Sequence, residues 1–262
     1  MAFCLLLISC APRHVVHAPV SEKPAPPTIL AEQQEVVEAE TPAMVKKLAP
    51  RERKVRFFTL LRPLVKAENE RILRLRRRVQ TLSHLRGGLN ASQLQEVQNL
   101  ARTYRLPLSA KPDTVFWSRL LKRMDAVPLE LALAQAANES AWGSSRFARE
   151  GNNYFGQWCY RKGCGLVPAR RNVGAVHEVR VFAAPADSVR AYIRNLNTTA
   201  AYRQLRAIRL HLRRSGKPLD AMLLSAGLRT YSERGGAYVK SIRTMIRRNK
   251  SLMRAERSEP PS

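Results

Sequence analysis

Acidic residues are scarce in this chain: 20 Asp and Glu stand against 46 Lys and Arg, a formal charge of +26 at neutral pH. Such a field attracts polyanions, whether nucleic acid, anionic lipid or an acidic wall polymer, although solvated arginine faces produce the same excess. Long hydrophobic runs are also missing. The N-terminal stretch Met1 to Ser9 is too short to span a bilayer as a helix. Cysteine is sparse, and outside the first ten residues only Cys159 and Cys164 remain. Two thiols with no adjacent histidine pair make a poor metal site, so neither metal nor cofactor is expected. No recognised basic-aromatic module is present, which argues against a nucleic-acid partner. Internal repeats are absent. Aromatics are 6% of the chain and gather between Phe116 and Phe182 rather than spreading evenly.

What is present begins with Leu7-Ile8-Ser9-Cys10, which resembles a bacterial lipobox with Cys10 as the lipidated residue. That reading makes residues 1–10 a lipoprotein signal and gives a membrane contact through the Cys10 anchor. Ala11 then favours the outer membrane and a periplasmic location. An incidental cysteine is the alternative. Residues 11–50, rich in Pro, Ala and Glu and without apolar periodicity, read as a disordered tether. In an oxidising compartment the Cys159–Cys164 spacing suits a local disulfide; two reduced structural thiols are the other option.

From Arg51 the chain turns basic and helical. Phe58, Leu61, Val65, Ile72, Leu75, Val79 and Leu82 recur at three- and four-residue steps, with Glu68 interrupting. Pro63 within the run favours a pair of helices packed on the domain over a coiled-coil seam. Ser92 with Gln95 reads as a capping box for a helix to Arg105. A helix over 113–124 follows, then one from Leu129 to Trp142 that is apolar on nearly every side and therefore buried. Residues 151–182 lose helical periodicity and alternate at 176–181, a hairpin or small sheet. Helices capped by Asp187, over 202–214, 219–228 and 238–248, complete the pattern. The fold class is α+β and predominantly helical. Its divisions are an N-terminal helical segment (51–106), a main domain (107–252) and a disordered tail (253–262).

Glu139 stands near the C-terminal end of the apolar helix. Burial against alanine and Trp142, and the negative end of the helix dipole, both favour its uncharged form. A protonated carboxyl can pass its proton to a departing oxygen. A structural glutamate bonded to Asn138 is the plainer alternative. Asn152-Asn153-Tyr154-Phe155-Gly156-Gln157-Trp158 follows, a mixture of amides and aromatic faces suited to sugar rings and acetamido groups.

The stretch QAANESAWGSSRFAREGNNYFGQWC, with GCGLVPARR, HEVRVF, NLNT and YSERGGAYV, resembles the Bax-like members of the glucosaminidase family, relatives of the flagellar rod muramidase. The likeness covers roughly residues 51–252. It implies a lysozyme-like fold and cleavage of peptidoglycan glycan strands after N-acetylglucosamine. By motif, the general acid maps to Glu139. Cleft-lining positions map to Asn153, Phe155 and Tyr231, with Gln157, and Trp142 joins them as a substrate-binding face. The family's second carboxylate, often in a Thr-x-Glu setting, maps to Glu178, here preceded by His177. Glu178 lies opposite Val179 and Val181 on an alternating strand, so inward valines would turn it to the cleft; a solvent-facing charge beside Arg180 is the rival reading. Retaining, inverting and substrate-assisted hydrolysis all remain open. So do a lytic transglycosylase and a non-catalytic wall-binding scaffold. The oligomeric state is not legible.

Overall fold

The computed structural model describes residues 49–169, 171 and 174–255. The expectations for Cys10 and for nearly all of the 11–50 tether lie outside the described residues. The first helix, α1, spans Pro50–Ser83 without a break. The expected pair of helices is thus one 34-residue helix that carries Pro63 inside it. Proline removes a hydrogen bond and costs about 3 kcal/mol in a helix interior. Here Pro63 sits on the exposed side of α1. Phe58, Leu61 and Val65, all fully buried, hold the opposite face to the core. Burial of about 1.5–3 kcal/mol per large apolar side chain outweighs the proline.

After α1, Asn90 rather than Ser92 caps α2 (Ala91–Thr103), in a reciprocal box with Gln93. The capping pair lies two residues earlier than the sequence pattern indicated. Asp113 caps α3 (Thr114–Arg123) by accepting from the Phe116 amide. Then comes α4 (Leu129–Glu139), in which Leu131 through Ala137 are all buried. It packs against α1 and the last helix, and is the central element of the fold. A short α5 (Arg146–Gly151) leads to three small strands: β1 (Trp158–Cys159), β2 (Gly165–Leu166) and β3 (Glu178–Arg180). The order is β1-β3-β2, antiparallel, with Trp158 opposite Val179 and Gly165 opposite Arg180.

Helix α6 covers Pro185–Thr198, and Ala184 is its N-cap. Asp187 therefore lies inside the first turn, bonded to Arg190, instead of capping. A 3-10 turn (Ala200–Tyr202) opens α7 (Arg203–Arg214). Short α8 (Ala221–Leu224) and a second 3-10 turn (Ser225–Leu228) precede α9 (Gly236–Arg254). The last helix reaches two residues into the expected tail. No described helix is long and apolar enough to cross a membrane.

One apolar core runs from Phe57 and Phe58 of α1 through α4 to Ile246 and Met253 of α9. The N-terminal segment is built into the same core as the rest. Arginines fasten this core at its helix ends. The Arg209 guanidinium, 1% exposed, donates to the carbonyls of Lys122, Arg123, Asp125 and Ala126 at the end of α3. Arg206 donates to Leu196 and Thr199 at the end of α6. Arg62 reaches the Leu252 and Met253 carbonyls, and Arg76 those of Leu121 and Met124. Helix C-termini carry unpaired carbonyls and partial negative charge, so a guanidinium with five donors satisfies both at once. Part of the large positive charge is thus structural.

Candidate active site

The site forms where α4 stops. Ser140, fully buried, accepts from the Gly143 amide at 2.8 Å and donates to the Ala136 carbonyl at 2.7 Å. This pins a tight turn in which Ala141, Trp142 and Gly143 all have positive φ, at 49°, 59° and 77°. Left-handed backbone costs a non-glycine residue about 1–2 kcal/mol, and two in succession mark an over-determined turn. The turn seats Trp142 edge-on against Phe57 and Phe58, with ring centroids 5.7 and 5.5 Å away.

Glu139 is half-buried rather than enclosed, and this corrects the expectation of a buried acid. Its Oε1 accepts from the Tyr238 hydroxyl at 2.8 Å and from Asn138 Nδ2 at 3.1 Å. Tyr238 in turn accepts from Gln135 Nε2 at 2.9 Å, and Gln135 Oε1 accepts from the Tyr192 hydroxyl at 2.6 Å. The chain Tyr192–Gln135–Tyr238–Glu139 therefore points every donor toward the carboxyl, an arrangement in which each bond polarises the next. Burial first, and then the Glu139 charge, push the Tyr238 hydroxyl far above the ordinary tyrosine range, so it stays a donor. With Oε1 tied, Oε2 is the open oxygen. It faces Gly156, where an added Cβ would lie 3.8 Å away and where φ is +63°. Glycine thus suits both the backbone and the approach to the acid.

Gln135 and Tyr238 had not been singled out from sequence. The available signal was a single glutamine in an apolar helix, four residues before Glu139 and so on its face. Its partner is 103 residues away in sequence, and no local pattern announces it.

Asn153 and Phe155, expected to line the cleft, are instead buried at 1% and 2% exposure. Asn153 Nδ2 donates to the Gln157 and Arg180 carbonyls, and its Oδ1 accepts from the Phe155 and Gln157 amides. Every polar atom of that side chain is thereby spent on folding the 153–157 loop against β3. Phe155 stacks on Tyr192 at 3.9 Å, beneath the hydrogen-bonded chain. Tyr231 is half-buried; it stacks on Tyr238 at 5.4 Å and donates to the Phe155 carbonyl at 3.0 Å. It steadies Tyr238 from the far side. Gln157 Nε2 is buried and has no hydrogen-bond partner among the described residues. Trp142 is half-buried and lines an open cavity with Lys54.

Glu178 and Val179 are both buried while Arg180 and Val181 are exposed, so burial along the strand does not alternate as expected. The Gly163 amide donates to its Oε1 at 3.0 Å and the Gly165 amide to its Oε2 at 2.8 Å. Those bonds hold its carboxyl below the usual glutamate range. Gly165 is required here, because an added Cβ would lie 2.0 Å from the Val179 carbonyl oxygen. Cys159 and Cys164 are joined by a disulfide that closes the same loop. Their sulfurs and the Glu178 oxygens lie close together, but each is already committed to a bond or to an amide. His177 stacks on the exposed Trp158 at 4.0 Å.

A mostly helical body, a small antiparallel sheet and a half-exposed carboxyl at the end of a buried helix define a lysozyme-like α+β protein. The family described as glucosaminidase, mannosyl-glycoprotein endo-beta-N-acetylglucosaminidase, matches residues 116–251, and the chain belongs to it. It is similar to Protein bax of Escherichia coli (strain K12), with 30% identity over 203 residues, 78% of this chain and 72% of that protein. No solved structure matches. Membership points to glycoside hydrolysis and to a glycan as the substrate class.

Proposed function

We propose that the protein is an endo-β-N-acetylglucosaminidase acting on peptidoglycan glycan strands, with Glu139 as general acid. The observation that carries this reading is the asymmetry of the Glu139 carboxyl. Neutral donors fix Oε1, leaving Oε2 to bear the proton beside an open glycine. No described cation pairs with either oxygen. A proton on Oε2 can pass to the glycosidic oxygen as the bond breaks.

The second half of the reaction is less suited to Glu178. Each of its oxygens serves a backbone amide, and attack on a sugar would require it to abandon both. The substrate's own acetamido oxygen is the nucleophile this geometry favours, with Glu178 shaping the β1–β2 loop. Gln157 Nε2, a buried donor without a partner among the described residues, supports this reading as a group free to bond a substrate carbonyl. The lipobox resemblance at Cys10 further leads us to propose an envelope location with an anchor in the outer membrane.

Mass spectrometry of purified sacculi digested by the protein tests the reading. Products ending in reducing N-acetylglucosamine are expected. Anhydro-muramyl products would replace it with a lytic transglycosylase, and binding without release with a wall-binding scaffold.

A further inference from the structure

Between the start of α1 and the outer face of α9 lies a groove of about 580 Å³. Trp142 forms one wall. Ala237, Lys240, Ser241, Thr244 and Arg248 recur along α9 at three- and four-residue steps, so a single stripe of the helix forms the other. Lys54 lies over the Trp142 ring at 5.1 Å, and Arg234 closes the near end, donating to Ser241. Four cations line the groove and no acid does. General basicity of the chain does not explain this. The cavity between α1 and α6 contains Glu68 among its arginines, and both cavities beside α3 contain Asp113. Among the described residues, Lys240 and Arg248 form no ion pair, in contrast to Arg71, Arg78, Arg190 and Arg213.

The groove also adjoins the acid. Trp142 follows Glu139 by three residues, and Tyr238, which bonds Glu139, sits between Ala237 and Lys240. We infer that this groove is a carboxylate-binding subsite for the peptide stem carried by the wall glycan, an inference that rests on the proposed peptidoglycan substrate. The hydroxyl and acetamido groups of the sugars are uncharged, and the lactyl group of a stem-bearing sugar is tied up in an amide, so four convergent cations call for the carboxylates of the stem. The stem branches from alternate sugars and carries free carboxylates. A strand laid with its scissile bond at Glu139 brings a stem toward Trp142, whose ring supplies an apolar wall while Lys240, Arg248, Lys54 and Arg234 meet the carboxylates.

The test measures binding in the full chain carrying Glu139→Gln, so that no probe is cut. Two fluorescent probes are compared: soluble glycan strands that retain their stems with free carboxylates, and the same strands with the stem carboxylates converted to neutral amides. Strands with free stem carboxylates are expected to bind about tenfold more tightly, the effect of one or two charge-assisted contacts in a partly open groove. Adding Lys240→Glu with Arg248→Glu should erase that difference. Arg214→Glu with Lys217→Glu, on exposed positions after and at the end of α7, changes the net charge equally and should leave it intact. Thermal melts confirm that both pairs fold. Equal affinity for the two probes, or equal sensitivity to both charge reversals, would overturn the subsite. Failure of the parent protein to cut sacculi would overturn the proposed reaction and leave this binding comparison standing on its own.

Discussion

Two carboxylates of this molecule, both associated with the buried helix α4, are handled in opposite ways. Asp125, just before that helix and 2% exposed, is ringed by cations. Arg213 donates to both its oxygens at 2.8 and 3.1 Å, and Arg76 and Arg209 stand 3.8 and 3.9 Å away. Glu139, at the other end of the helix, is half-exposed and receives only a tyrosine hydroxyl and an amide. The first arrangement favours the ionised form and fastens α3 to α7. The second gives the carboxyl no cationic partner and places it just before a turn with left-handed backbone. No described arginine pairs with the Glu139 carboxyl, and the proposed general acid depends on that separation.

Breaking the Asp125 cluster should give the largest effect. Asp125→Ala leaves buried guanidinium groups without their anion, and about 3–5 kcal/mol of stability should be lost in a denaturant titration. Glu139→Gln should cost little or nothing in the same assay, since functional sites are seldom built for stability. The pH dependence sharpens the contrast. Burial alone would raise the Asp125 carboxyl, but the Arg213 hydrogen bonds and the Arg209 and Arg76 charges outweigh it and hold the group below its ordinary value. The folded form therefore binds the proton less readily than the unfolded chain. Its contribution is complete above about pH 4 and is lost as the pH falls through the lower, folded value. Asp125→Asn should flatten that acid limb in pH-dependent melts.

The disulfide ranks next. Cys159→Ser with Cys164→Ser should cost about 2 kcal/mol by the loop-closure estimate. Protease cleavage within 160–164 should accelerate, because the same loop supplies the Glu178 amides. Tyr238→Phe removes the donor to Glu139 and leaves Gln135 short of a partner. About a tenfold fall in kcat is expected, equivalent to about 1.4 kcal/mol, with KM nearly unchanged. A KM effect of the same size would make Tyr238 a substrate contact instead of a positioning residue. The smallest change is expected for Glu178→Gln. It should lower activity only a few-fold and loosen the loop, whereas a loss as deep as that of the acid would make Glu178 the nucleophile after all.

What the sequence made legible was local. An all-apolar helix could only be buried, Asp113 announced a helix start, and the run from Glu139 to Gly156 marked the candidate site. Three kinds of feature were hidden for physical reasons. Pro63 reads as a break, yet the buried face of α1 outweighs it. Asn153 reads as a sugar ligand because it is an amide in a motif, but its partners are backbone groups of its own loop and of β3, the latter invisible until the strand is placed. The arginine caps and the Gln135–Tyr238 bond join residues far apart in the chain, so composition records their charge and polarity without their use.

The central claim is that one half-exposed carboxyl supplies the proton. Purified sacculi should be digested by the parent protein to fragments with reducing N-acetylglucosamine ends, and Glu139→Gln, folded and still sedimenting with sacculi, should release none. Undiminished release by that variant would contradict the account.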